Sequence, residues 1–115
     1  MTKSEMETLA QAQLDAYNQG DLEAFSKCFH PEVVVHALIS NHEACRGMAA
    51  FRELYKNLFS TSPELHCELK NRVLLDAAIL DEEWITGSSR HSGGFYTVVT
   101  YGFRDGKIDR VWVAR

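Results

Sequence analysis

Apolar residues recur every three to four positions in two stretches of the first sixty residues, which is the period of an amphipathic helix. The pattern predicts one helix over about 4–19 and another over about 48–59. Ser4 and Glu7 have the spacing of a capping box at the start of the first of these helices. Asp21 is a typical N-cap residue, and it predicts a short additional helix between the two.

From residue 65 onward the period of apolar residues changes to two, which is typical of strands with one buried face. An earlier β-branched run at 33–35 predicts a strand that reaches about Leu38, and residues 39–46 are expected to form a loop. Asp105-Gly106 is a hairpin signal between the last two strands. We therefore expect an α+β protein of one domain, 1–115, in which three helices cover one face of a curved sheet. The strands predicted after the last helix are about 65–75, 78–87, 95–104 and 107–114.

Composition narrows the class of protein. A chain of 115 residues with 45% hydrophobic residues can bury a core of its own. Acidic residues outnumber basic ones by 16 to 12 and no basic run is present, so we expect neither nucleic acid nor a membrane surface as a partner. The polar amino terminus lacks the apolar core of a signal sequence. Three widely spaced cysteines, at 28, 45 and 67, predict reduced thiols and a cytoplasmic protein.

Motifs in a fixed order resemble those of the nuclear transport factor 2-like superfamily, and most closely its ketosteroid isomerase and polyketide cyclase (SnoaL-like) branches. The motifs are 17–25 (YNQGDLEAF), 29–33 (FHPEV), 46–47 (RG), 52–55 (RELY) and 105–112 (DGKIDRVW). The resemblance implies a cystatin-like α+β roll, with a highly curved, cone-shaped, mixed or antiparallel sheet. The first and third helices of such a fold close an apolar pocket, which implies a hydrophobic small-molecule ligand.

The catalytic residues of ketosteroid isomerases are not matched in this chain. The resemblance places Ala37 where those enzymes carry the aspartate that shuttles the proton. It places Gln13 at the position of the tyrosine that holds the enolate oxygen, and Val99 at that of the second aspartate. Alanine and valine cannot take or donate a proton, so true ketosteroid isomerase activity is not expected.

Glu82 is the candidate catalytic residue. Strand alternation puts Glu82 and Trp84 on one face, with Asp81 and Glu83 on the other, and the resemblance favours the Glu82 face as the pocket lining. A carboxylate beside tryptophan in a dry pocket would have a raised pKa and could act as base or acid. A register shift of one residue would exchange the two faces. The alternative is a structural role, in which Glu82 pairs with an arginine at 72 or 110 on a neighbouring strand.

Three polar residues of the helices are candidates to polarise a ligand oxygen. Gln13 lies within the apolar stripe of the first helix, where a buried amide either makes a structural hydrogen bond or contacts a ligand. Tyr17 and Tyr55 are either core aromatics or pocket contacts. The remaining residues expected to line the substrate-binding pocket are Val35, Trp84 and Val99.

Other chemistry is disfavoured. His36 neighbours the pocket-facing position 37, so alternation turns it toward the sheet surface. His42 and Cys45 have a metal-ligand spacing, but no second pair accompanies them, and no metal is expected. The Ser/Gly-rich stretch at 88–94 precedes no helix, so it is not a phosphate loop, and no cofactor is expected.

Two functions stay open at this point. One is a small-molecule-binding protein or a cofactor-independent acid–base enzyme of the isomerase, dehydratase, hydrolase or cyclase type. The alternative is a non-catalytic module of the same fold that binds a ligand or a protein. We also expect a homodimer through the outer sheet face, because Ile108, Arg110 and Trp112 share one face of the last strand by alternation.

Overall fold

A computed structural model describes residues 1–115. The chain forms three helices and six strands, and most of their bounds lie within a few residues of the predicted ones. In chain order they are α1 (Lys3–Gln19), α2 (Leu22–Ser26), β1 (Phe29–Ala37), β2 (His42–Arg46), α3 (Met48–Thr61), β3 (His66–Leu74), β4 (Ala78–Thr86), β5 (Phe95–Arg104) and β6 (Lys107–Ala114). None of the three helices combines the length and the hydropathy that a bilayer-spanning helix requires.

The six strands form one sheet in the order β2-β1-β6-β5-β4-β3. All neighbouring strands are antiparallel except β1 and β6, the second and third strands in this order, which run parallel. The three helices contact only one face of this curved, mixed sheet, because their apolar stripes and the inward side chains of the strands bury one another. The predicted α+β roll is confirmed.

The first helix begins earlier than the sequence pattern predicts. Its N-cap is Thr2, whose hydroxyl accepts from the Glu5 amide at 3.1 Å while the Glu5 carboxylate accepts from the Thr2 amide at 2.8 Å. The predicted box at Ser4 and Glu7 is wrong, since both residues lie inside the helix. At α2 the prediction is confirmed, because the Asp21 carboxylate accepts from the Ala24 amide at 3.1 Å.

Strand β2 lies where a loop was predicted. It pairs antiparallel with β1 at the edge of the sheet, and none of its five residues is buried. Cys45 packs against the core and Ala44 lines the space beside it, but the strand carries no regular alternation of apolar and polar residues for sequence analysis to detect.

A bulge in β6 changes which way its side chains point. Arg110 pairs with Gly102, but Ile108 already pairs with Phe103, so Asp109 is an extra residue in this strand. Ile108 is therefore fully buried, whereas Trp112 packs over Gly102 on the outer face. The prediction that Ile108 shares a face with Arg110 and Trp112 is wrong.

Aromatic side chains fill one end of the space between helices and sheet. Here the rings of Phe25 and Phe51 stack with their centroids 5.6 Å apart, and Phe29 and Tyr55 lie 4.5 and 4.7 Å from Phe51. We call these four rings, with Phe59, the aromatic cluster. It closes one end of the roll and leaves the other end open.

Candidate functional site

A cavity of about 510 Å³ lies between the inner face of the sheet and helices α1 and α3. The aromatic cluster forms part of its floor, and the ends of β1, β4 and β6 surround its mouth. Hydrophobic residues make up 18 of the 27 that line it. Its volume falls within the range of small-molecule sites, and its lining has the composition that such sites share.

Glu83 is the one carboxylate that lines this cavity. It lies on β4 between Leu69 of β3 and Thr97 of β5, and it is 4% exposed. Burial raises the pKa of Glu83 to about 7, and the negative charge of Asp81 adds to the rise. The Cys67 thiol and the charge of Arg72 oppose it. A carboxyl group with this pKa is present in both protonation states near neutral pH, so it can serve as an acid or a base.

The structure places Glu82 outside the cavity, on the outer face of the sheet, where it is exposed between Asn71 and Val98. Trp84 lies on the same outer face, and its ring packs against Tyr96 with centroids 4.8 Å apart. The prediction that Glu82 and Trp84 face the pocket is wrong, because alternation along β4 turns the opposite set inward. The inward residues are Ile79, Asp81, Glu83 and Ile85.

Asp81 also points inward but takes no part in the cavity. Arg72, its direct partner across β3 and β4, donates from Nε and Nη2 to its two carboxylate oxygens at 2.8 and 3.0 Å. Arg72 also donates to Gln11 Oε1 at 3.0 Å, which ties the sheet to α1. The predicted alternative in which Arg72 pairs with Glu82 is wrong, because Arg72 pairs with Asp81. Arg72 and Asp81 therefore neutralise each other in a buried ion pair, and we assign this pair a structural role.

Gln13 and Tyr101 form a polar pair on the cavity wall. Gln13 Nε2 donates to the Ala10 carbonyl and to the Tyr101 hydroxyl, both at 2.9 Å. Because the hydroxyl oxygen accepts this bond, its own proton stays available for a ligand oxygen. Sequence analysis missed Tyr101, although alternation puts it on the same face of β5 as Val99.

Tyr17 and Tyr55 line the cavity as well. Burial raises the pKa of both phenols, so they stay protonated and can donate a hydrogen bond. Among the predicted site residues, those that line the cavity are Gln13, Tyr17, Val35, Tyr55 and Val99. Ala37 lines it too and supplies no proton-transfer group.

The imidazole of His36 stacks on Trp112 with ring centroids 5.9 Å apart, so it belongs with the outer-face residues as expected from alternation. No group of three or more His, Cys, Asp or Glu side chains is arranged to hold a metal ion. The titratable side chains that line the cavity include one carboxyl group, that of Glu83, together with the phenols, the Cys67 thiol and the His91 imidazole.

A family model described as a SnoaL-like domain matches residues 10–111. An uncharacterised cystatin-fold protein from Novosphingobium aromaticivorans is similar in structure, with a TM-score of 0.86 at 22% identity, over 100% of this chain and 99% of that one. A candidate ketosteroid isomerase from Kribbella flavida has a TM-score of 0.83 at 14% identity, over 96% of this chain and 77% of that one. A candidate polyketide cyclase from Sinorhizobium meliloti has a TM-score of 0.78 at 16% identity, over 98% of this chain and 99% of that one. No curated protein matches the sequence.

Proposed function

This chain belongs to the SnoaL-like domain family, within the nuclear transport factor 2-like fold, and from that premise we propose that it binds an apolar small molecule and moves a proton on it without a cofactor. The reaction class is that of an isomerase, dehydratase, hydrolase or cyclase. The observation that carries the proposal is Glu83, a buried carboxyl group that faces an apolar cavity of about 510 Å³. Family membership by itself does not select a reaction, because one fold hosts many.

The roles follow from the chemistry of the lining. Glu83 takes a proton from the ligand or gives one to it, since its pKa of about 7 leaves both forms populated. Tyr101, Tyr17 and Tyr55 donate hydrogen bonds to the oxygen on which charge develops. Gln13 orients Tyr101 through the hydrogen bond between them.

We propose that this is not a true ketosteroid isomerase. Ala37 and Val99 provide no carboxylate, and Glu83 lies on another strand than the base of those enzymes. The assay is the absorbance of the conjugated enone formed from 5-androstene-3,17-dione. A turnover above about 1 s⁻¹, which is ordinary for enzymes, would contradict this exclusion.

The experiment that tests proton transfer uses 5-nitrobenzisoxazole as the probe. A base removes the proton on the ring carbon, the N–O bond breaks, and a coloured cyanophenolate forms. We expect wild-type protein to accelerate this elimination over buffer by about 10²-fold or more, with a rate that rises with pH around 7 as Glu83 ionises.

Two neighbouring carboxamide variants provide the matched comparison. Glu83→Gln should abolish the acceleration, because the amide is nearly isosteric but cannot accept the proton. Glu82→Gln changes the same functional group one residue away on the outer face, and it should leave the rate unchanged. Equal rates for Glu83→Gln and wild type would overturn the proposal.

One observation favours a second candidate, a binding module without catalysis. The Gln13 amide donates both of its N–H groups within the protein, to the Ala10 carbonyl and the Tyr101 hydroxyl. Part of the polar lining therefore has its hydrogen-bond partners without a ligand. This candidate predicts that apolar probes bind in the cavity while 5-nitrobenzisoxazole is not turned over.

We also propose that two copies associate through the outer face of the sheet. Val73, Tyr96 and Val98 are 43%, 58% and 38% exposed there, across strands β3 and β5. Arg110 on β6 pairs with no carboxylate, and Glu82 on β4 also has no ion-pair partner. A two-fold axis near β5 would bring each arginine close to the partner's acid.

Sedimentation velocity at micromolar concentration tests this association. We expect a dimer for the wild type and a monomer for Val98→Lys, which places a charge in the apolar patch. A monomeric wild type would refute this association.

The three cysteines are free, which supports our further proposal of a reducing, cytoplasmic location.

A further inference from the structure

The mouth of the cavity carries positive charge, although the chain as a whole has a net charge of −4. Arg90 and His91 belong to the loop between β4 and β5, and Arg115 follows β6. All three line the cavity at its open end, and none takes part in an ion pair with a carboxylate. Unpaired positive charge at the cavity mouth of a protein with net negative charge indicates that the mouth can bind an anion.

Phe95 holds two of these groups in place. Its ring lies 4.3 Å from the His91 ring, and the Arg115 guanidinium lies 5.3 Å from its centroid. Arg90 donates to the neutral Asn57 side chain at 3.1 Å, so its charge is positioned but not neutralised. Burial raises the pKa of the cavity phenol Tyr55, and the nearby positive charge of Arg90 opposes that rise.

His91 adds an unsatisfied donor at the same place. Its Nε2 lies 3.2 Å from Arg115 Nη1, which can only donate, so in the neutral ring Nδ1 carries the proton. That Nδ1 is buried and has no hydrogen-bond partner. A buried N–H group without an acceptor is rare in folded proteins, and the His91 ring must move before a ligand oxygen at the mouth can accept from it.

We propose that the ligand is an amphipathic organic anion, whose apolar body fills the cavity and whose carboxylate or similar acid group contacts Arg90, His91 and Arg115 at the mouth. This inference rests on the proposed binding of an apolar molecule in the same cavity. It specifies the ligand further, since a neutral hydrocarbon or steroid would leave the mouth unused. The anionic group stays at the exposed end, away from Glu83.

Two fluorescent probes of the same skeleton test the proposal. 8-Anilinonaphthalene-1-sulfonate carries one sulfonate, and N-phenyl-1-naphthylamine is the same molecule without it. We expect the Arg90→Gln/Arg115→Gln double substitution to lower the affinity for the sulfonate probe about tenfold and the affinity for the neutral probe less than twofold. His91→Phe keeps an aromatic ring against Phe95 but removes the N–H donor, and it should also weaken only the sulfonate probe.

Arg104→Gln is the control for a single charge, because it removes one positive charge at the opposite end of β5. It should leave both affinities unchanged. Methyl NMR shifts locate the probes, since Val99 and Val113 line the cavity whereas Val73 and Val98 lie on the outer face. Equal weakening of both probes by the double variant would overturn the anion proposal alone. If neither probe shifts the cavity methyl groups, cavity binding itself is refuted, and the proposed function fails with this inference.

Discussion

The two ends of the inner face of the sheet differ in what fills them. At the closed end the aromatic cluster leaves no space, and Phe51 is fully buried. At the open end the same strands line a cavity, and the loop residue Ile39 is 80% exposed at its mouth. The buried carboxyl group of Glu83 and the mouth residues Arg90 and His91 all lie toward the open end. The difference indicates that stability and chemistry are separated along the length of the strands.

The largest expected effect is on the free energy of unfolding, when a phenylalanine is replaced by alanine at the closed end and, for comparison, at the open end. Phe51→Ala should lower the free energy of unfolding by about 3–5 kcal/mol, because the ring is fully buried against Phe25, Phe29 and Tyr55. Phe95→Ala at the mouth should cost about 1–2 kcal/mol, since that ring is only partly buried. Urea unfolding measures both.

Probe binding then sharpens the same comparison. Phe95→Ala should weaken 8-anilinonaphthalene-1-sulfonate more than Phe51→Ala does, under conditions in which both variants are folded. Similar losses of stability at the two positions would contradict the separation of stability from chemistry.

A second, smaller effect is expected at Arg72. Arg72→Met should cost about 3 kcal/mol of stability, because it leaves the fully buried Asp81 carboxylate without its partner. The positive charge of Arg72 lowers the pKa of Glu83, so the NMR titration midpoint of Glu83 should also move upward in this variant. Adding Asp81→Asn should restore part of the stability. A loss of stability below about 1 kcal/mol would show that the Arg72–Asp81 ion pair does not have this structural role.

The third prediction concerns the pH dependence of stability. Burial raises the pKa of Glu83 from 4.5 to about 7, so the folded protein keeps a proton that the unfolded chain releases. The contribution of Glu83 to stability is therefore complete below pH 4.5 and is lost as the pH rises toward 7. Glu83→Gln removes this dependence, and its stability relative to wild type should increase by about 3 kcal/mol at most between pH ~4.5 and ~8. Parallel stability curves for the two proteins would contradict a buried, protonated Glu83.

The strands of the second half could be predicted from sequence because each has one buried face. The bounds of β5 and β6 agree with the alternation of apolar residues and the Asp105-Gly106 turn. The face of β4 could not be decided in this way. Residues 81–83 are three consecutive acids, so they offer no apolar contrast, and only pairing with β3 and β5 turns Asp81 and Glu83 inward.

The cationic mouth was also beyond sequence analysis, for a different physical reason. Arg90 and His91 lie in an irregular loop, where no periodicity relates sequence position to direction. Arg115 meets them only because β6 ends beside the start of β5, where the Thr97 hydroxyl donates to the Ala114 carbonyl at 2.9 Å. Such a cluster depends on three-dimensional neighbours that are up to 25 residues apart in the sequence.

The parallel pairing of β1 with β6 has a consequence for how the chain folds. Val35 of β1 pairs with Val111 of β6, so the two strands cannot pair until the segments on both sides of this long separation have left the ribosome. Contacts of such long sequence separation slow folding, and we expect refolding on the millisecond-to-second scale rather than in microseconds. Until β6 arrives, the hairpin of β1 and β2 has an open edge, which is the stage at which the nascent chain is most exposed to aggregation.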